Sequence, residues 1–443
     1  MTTVTVRARA GTIVGRDDGR VRHFLGVPYA EAPIGERRFA AAVARARFTE
    51  PFDASRHGAT AQRVPLFPVT TIPEPSIPGD DVLNLSIKAP AAAGPFPVLV
   101  WIHGGGFLAG SQASPWYDGR AFTRDGLVCV TVGYRLGVDG FAALDGVPAN
   151  LGLRDLLLAL DWVRENIAAF GGDPDQVTIA GQSAGAAAVL ALLSSPLGAG
   201  RFQRAVSLSG GWFERDADGV RGYLALLGAR LGVPVTRDGF AAADVESIQR
   251  AVLDLRDERG DDVLVLGPIV GDDVLPVPVA EGLAAHGHDV PLLLGATADE
   301  FDCPAEPVAR AAGNRLTDTL FRQVCPAAAF RRRAAAAGTW LYSFEWASPV
   351  LGGAAHCIEI PFFFDLLDAP GVAEALGPNP PAPLAAAMHA DLASFVSGRE
   401  PEWRKATGRR GDPAREYGRP GAPLVADTTG VFDPVVREAV AAC

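Results

Sequence analysis

Four short apolar runs constrain this chain more than anything else in it: Phe96-Pro-Val-Leu-Val-Trp-Ile102, Leu127-Val-Cys-Val-Thr-Val132, Val177-Thr-Ile-Ala180 and Ala205-Val-Ser-Leu208. Each is apolar almost throughout, the pattern of a strand covered on both faces rather than one facing water. Between them the period changes. Leu153, Leu156, Leu157, Leu160, Val163, Ile167 and Phe170 recur at spacings of three and four, predicting an amphipathic helix stopped by Gly171-Gly172, and Ala184 to Leu193 predicts another. Strands that alternate with helices pair in parallel through right-handed crossovers. The expected fold is therefore α/β, a central and mostly parallel twisted sheet flanked by helices.

The remaining chain fits around that core. The first sixty residues alternate apolar and polar with Gly11 and Gly15 as breakers, as short edge hairpins do. Arg63 to Pro90 is Pro-rich and irregular, and Asp173-Pro174 reads as a turn. Pro291 to Leu294 and Trp340 to Phe344 resume the sheet, Leu384 to Val396 is the last substantial helix, and Arg399 to Ala422 reads as a loop rich in Gly, Pro and Arg. With no repeats and no long linker, residues 1–443 are expected to form one domain, with cap-like insertions at 214–266 and 301–338.

Composition excludes several classes. Apolar residues at 48% and charged ones at 21% supply a buried core. A net charge of −11 argues against nucleic acid or an anionic membrane surface as the partner. The five cysteines show neither CxxC spacing nor an even count, so no disulfide framework or zinc site is indicated. Met1 to Gly15 lacks a basic segment followed by an apolar run, and no stretch approaches the roughly 18 apolar residues of a membrane span. A soluble, cytoplasmic protein is expected.

The chemistry concentrates at strand ends. Gly181-Gln-Ser-Ala-Gly185 lies directly between a strand and a helix, the context that makes a GxSxG match a nucleophile elbow rather than an incidental glycine-lined turn. His103-Gly-Gly-Gly-Phe107 follows another strand, where consecutive glycines let backbone N–H groups converge on a developing oxyanion. The alternative, a phosphate-binding loop, lacks the GxGxxG spacing. The Ala184 amide, at a helix N-terminus, would join that cradle. Of seven histidines, His356 stands in a loop behind Gly352-Gly353 after the Trp340 to Phe344 strand, the place suited to a base; the others lie before the core sheet, in the glycine loop, in a polar turn or within a helix. Asp299, Glu300 and Asp302 offer three carboxylates at one strand's carboxyl end, and composition alone does not choose among them or exclude a solvated acidic turn.

Taken together, Phe24-Leu-Gly-Val-Pro-Tyr-Ala30, Trp101-Ile-His-Gly-Gly-Gly-Phe107, Gly152-Leu-Arg-Asp155, Trp162 to Ile167, Phe170-Gly-Gly-Asp-Pro174 and Gly181 to Gly185 closely resemble the type-B carboxylesterase, or cholinesterase-like, family of the α/β-hydrolase superfamily. The resemblance runs on, more loosely, through Gly271 to Pro276, Gly295 to Glu300 and Gly353 to His356. It implies an α/β-hydrolase fold in which Ser183 is the nucleophile, His356 the general base and Glu300 the acid. It also implies an oxyanion hole of Gly105, Gly106 and Ala184, and no metal or cofactor. The expected partner is a small uncharged carboxylic ester, hydrolysed through an acyl-enzyme, with Phe107, Trp212 and Phe301 as candidate substrate-binding residues. Amide, carbamate or lactone hydrolysis with the same residues is an alternative, as is a non-catalytic binding protein on the same scaffold.

The chain also departs from the family pattern. Gln182 stands where the family usually has Glu. Ala61 to Asp81 holds no Trp or Tyr and Val82 replaces the first loop cysteine, so an aromatic cage for a quaternary ammonium is not supported. The segment between Glu300 and His356 is short, which predicts a reduced helical cap and a more open site.

Overall fold

A computed structural model of the protein describes residues 1–66, 70–259, 264–303 and 318–436, except the side chains of 318 and 319. Within these residues thirteen strands join one sheet. In chain order they are β1 (Thr2–Ala8), β2 (Gly11–Asp17), β3 (Val21–Pro28), β4 (Phe52–Asp53), β5 (Asn84–Pro90), β6 (Phe96–Ile102), β7 (Val128–Val132), β8 (Gly172–Gln182), β9 (Arg204–Leu208), β10 (Leu292–Thr297), β11 (Thr339–Phe344), β12 (Pro413–Tyr417) and β13 (Val425–Thr429). Across the sheet they run β1-β2-β3-β5-β7-β6-β8-β9-β10-β11-β12-β13, with β4 beside β2. Every neighbour from β7 to β12 is parallel, while β1-β2-β3-β5-β7 on one flank and β13 on the other pair antiparallel, and β4 joins β2 in parallel.

The apolar runs fill both faces, as their composition predicts. On β6, Val98, Val100 and Ile102 enter one core while Leu99 and Trp101 enter the other. The helix Ala184–Ser194 packs beneath β8 with every residue buried, which its Ala-rich sequence permits because small side chains let helix and sheet approach closely. The helix Leu151–Asn166 is tied down by a buried ion pair. Arg135 Nε and Nη2 donate to the two oxygens of Asp155 at 2.8 and 2.6 Å.

Two expectations fail. Asp173-Pro174 is not a turn before the strand; it lies inside β8, where the pairing slips between Phe96/Gly172 and Val98/Val177 and so absorbs the extra residues. Arg399 to Ala422 is not wholly loop either, since Pro413–Tyr417 extends the parallel sheet. Its charges conceal it: Arg415 donates to Asp391 and Asp427, and buried Glu416 takes Arg419. Residues 214–266 hold the helices Ala217–Leu231, Arg237–Ala242 and Val245–Arg259. Of the 301–338 segment, Asp318–Arg322 and Val324–Arg331 are helical, and 304–317 lie outside the described residues. Among the described residues no helix is long and apolar enough to cross a membrane.

Candidate active site

Parallel strands point their carboxyl ends to one edge of the sheet, and the candidate residues collect there: the glycine loop after β6, Ser183 after β8, Glu300 after β10 and His356 after β11. Ser183 is the hinge between β8 and its helix, at φ 56° and ψ −123°, outside the comfortable regions for an L-residue. Its peptide is pinned on both sides, Ser183 N–H donating to Leu208 at 2.9 Å and its carbonyl accepting from Ala187 N–H at 2.9 Å. The tight turn requires glycine next door, because a Cβ on Gly185 would stand 2.6 Å from the carbonyl oxygen of His103. Strain gathers at this edge. Of the eight non-glycine residues with positive φ among the described residues, five are Phe107, Ser183, Ser209, Glu300 and Cys357.

The glycine loop abuts this turn. A Cβ on Gly104 would sit 3.1 Å from the Ser183 Cβ. Gly105 and Gly106 turn with φ of 106° and 63°, and among the described residues their amides donate to no acceptor. Ala184 opens its helix, so its N–H has no carbonyl one turn back. His103 is a structural member of the loop. It is buried against Tyr134, with ring centroids 4.7 Å apart, and burial pushes its imidazole down to about 4.

Glu300 and His356 are joined twice. The His356 peptide N–H donates to the Glu300 carbonyl at 2.8 Å, and Nδ1 meets the Glu300 carboxylate. The other carboxylate oxygen accepts the Thr297 N–H at 2.9 Å, and Glu300 is fully buried. Asp299 instead accepts the Ala354 N–H at 2.7 Å and shapes the loop carrying His356, while the Asp302 N–H donates back to the Asp299 carbonyl at 2.6 Å. The His356 ring packs against both Phe301 and Phe321, at 4.4 and 4.7 Å centroid to centroid, which restricts its orientation.

With Nδ1–H committed to Glu300, Nε2 carries the lone pair. The Gln182 side-chain amide sits 3.0 Å from Nε2 and donates to it, and among the described residues the Ser183 hydroxyl makes no hydrogen bond. Behind this contact lies a second buried acid the sequence reading overlooked. Ser209 Oγ donates to Glu359 at 3.3 Å, and burial, reinforced by the Glu300 charge, pushes Glu359 up to about 8. The signal available in the sequence was a second carboxylate three residues after His356.

Three of the other histidines have structural partners: His389 bonds Asp125 and the Phe363 carbonyl, His23 faces Asp18, and His288 faces the Ala284 carbonyl. Of the three aromatic candidates, Phe301 lies on the His356 ring and Trp212 is half-buried against the core. Phe107 has no exposed surface and packs edge-on against Phe141 at 4.9 Å, so it supports the glycine loop from within the core instead of presenting a face to a ligand. Among the described residues no cluster of three metal-ligating side chains occurs.

Three comparisons bear on this constellation. The profile of the carboxylesterase family matches residues 2–314. The chain is 33% identical to para-nitrobenzyl esterase of Bacillus subtilis over 83% of its own length and 84% of that protein's. It is 31% identical to phenmedipham hydrolase of Pseudarthrobacter oxydans over 81% and 82%. Among solved structures, a carboxylesterase of Geobacillus stearothermophilus superposes with a TM-score of 0.83 at 31% identity, covering 98% of this chain and 99% of that one.

Proposed function

The chain belongs to the carboxylesterase family and is a carboxylic ester hydrolase, and from that premise we propose that Ser183, His356 and Glu300 are its catalytic triad. The observation that carries the assignment is the doubly held Glu300–His356 pair, buried at the same sheet edge as a strained serine. A carboxylate on Nδ1–H fixes the tautomer in which Nε2 is basic, and stabilises the imidazolium that forms when the serine gives up its proton. Ser183 Oγ then attacks the ester carbonyl, and the carbonyl π electrons pass to oxygen. The unbonded amides of Gly105 and Gly106, with that of Ala184, are the donors we assign to the resulting oxyanion. The imidazolium returns its proton to the alcohol as the carbon–oxygen bond breaks, leaving an acyl-enzyme. Water, deprotonated by His356, resolves it.

We assign small uncharged esters as substrates, with Trp212 and Phe301 as apolar walls of the site and the helices of 214–266 as a cap over it. The relatives named for a para-nitrobenzyl ester and for phenmedipham support a broad, uncharged preference. The test is hydrolysis of p-nitrophenyl acetate and butyrate by the wild type and by Ser183→Ala. Loss of about 10³-fold or more in kcat is expected from removal of a nucleophile. Undiminished turnover in the variant overturns the assignment. A panel of esters, amides and lactones, run alongside, separates ester preference from the other scissile bonds.

A further inference from the structure

The base that Ser183 needs is already occupied. His356 Nε2 takes an N–H from the Gln182 side chain at 3.0 Å, in a site where Gln182 has no exposed surface and His356 is 4% exposed. The Gln182 backbone is set by the sheet, being paired with Leu208 at the end of β8, so only its side-chain torsions are free to move the amide. Its other end is not tied down. Gln182 Oε1 is buried without a hydrogen-bond partner among the described residues, as are Tyr117 OH and the second oxygen of Glu359. The amide is therefore held at the histidine by a single bond through its N–H. A glutamate here, once ionised, has no N–H to give, so this contact follows from the one residue by which the elbow departs from the family pattern.

Resting on the triad proposed above, we propose that Gln182 is a positioning residue that caps the base: its amide holds the Nε2 lone pair in the resting enzyme and must release it before Ser183 is activated. One imidazole lone pair accepts one strong hydrogen bond, so Gln182 N–H and Ser183 O–H compete for it. On release, Nε2 takes the Ser183 proton as the Oγ–carbon bond forms. The enzyme thus spends part of its time with an idle nucleophile. Acylation carries the free-energy cost of breaking one buried neutral hydrogen bond.

The test removes the donor and keeps the volume. Gln182→Met and Gln182→Leu leave Nε2 free for Ser183. The readout is the rate constant for acylation, measured as the pre-steady-state burst with p-nitrophenyl butyrate and as covalent labelling by a fluorophosphonate. Both variants are expected to acylate about two- to tenfold faster than wild type with the substrate dissociation constant that precedes acylation unchanged, the range set by the net worth of one such bond. A merely structural role for Gln182 cannot produce a gain. Equal or slower acylation in variants that melt at the wild-type temperature overturns the proposal.

Should neither variant fold, the wild-type chain still decides, through the Gln182 side-chain amide protons followed by NMR. They are expected to shift when Ser183 is labelled, and unmoved resonances overturn the cap. Ser183→Ala separates the two levels. If that variant keeps full activity, the triad itself is wrong; if it is inactive while the Gln182 variants show no gain, only the cap fails.

Discussion

Glu300 holds His356 through both its backbone and its side chain: the His356 peptide N–H donates to the Glu300 carbonyl at 2.8 Å while the imidazole Nδ1 meets the Glu300 carboxylate. The two contacts do different work. The first places the loop, and the second orients the ring and balances its charge.

Glu300→Gln keeps the backbone contact and the side-chain volume but removes the charge. It is expected to lower kcat by about 10⁴-fold, on the scale seen when a triad acid becomes its amide, with little change in melting temperature. Asp299→Asn, whose carboxylate among the described residues meets only the Ala354 N–H, is expected to be mild. Steady-state kinetics on the two variants rank them, and the reverse ranking moves the acid to Asp299.

Asp155 lies in the family-like Gly152-Leu-Arg-Asp155 run, yet it sits in no catalytic contact. Its side chain is fully buried and Arg135 is 3% exposed. Asp155→Ala leaves an unpaired buried guanidinium, which costs about 3–5 kcal/mol of stability. Urea unfolding should show that loss, while activity per folded molecule stays near wild type. A collapse of activity at unchanged stability would give Asp155 a different role.

Glu359 has its folded pKa raised from 4.5 to about 8, first by burial and then by the Glu300 charge. Between those values the folded chain keeps a proton that the unfolded chain has released. Its contribution to stability is therefore fully present below pH 4.5 and declines as pH rises toward 8. Glu359→Gln, permanently neutral, should flatten that part of the stability profile. Thermal melts of both proteins from pH 5 to 8 check it, and parallel profiles would show that Glu359 is ionised in the fold.

Much of this arrangement was legible in the sequence because it is local. The apolar runs around 96–102, 127–132 and 177–180 read as buried strands since both faces are apolar, and GxSxG read as an elbow since a strand and a helix flank it. What stayed hidden depends on distant partners. The strand Pro413–Tyr417 looks too charged for a sheet until Asp391 and Asp427 supply its counter-charges. The choice of Glu300 over Asp299 turns on which carboxylate reaches the imidazole of His356, fifty-six residues on, and rests on family resemblance until that geometry is seen. The Gln182 contact spans 174 positions and inverts a simple expectation, in which the base faces the nucleophile directly. Pattern and spacing carry no information about which of two neighbouring donors takes one lone pair.

The most direct measurement is covalent labelling of the intact enzyme by a fluorophosphonate, followed by peptide mapping. One label per chain on Ser183, with ester hydrolysis lost in step with labelling, is the predicted result. A label on another residue, or full hydrolysis by a chain labelled at Ser183, would contradict the account.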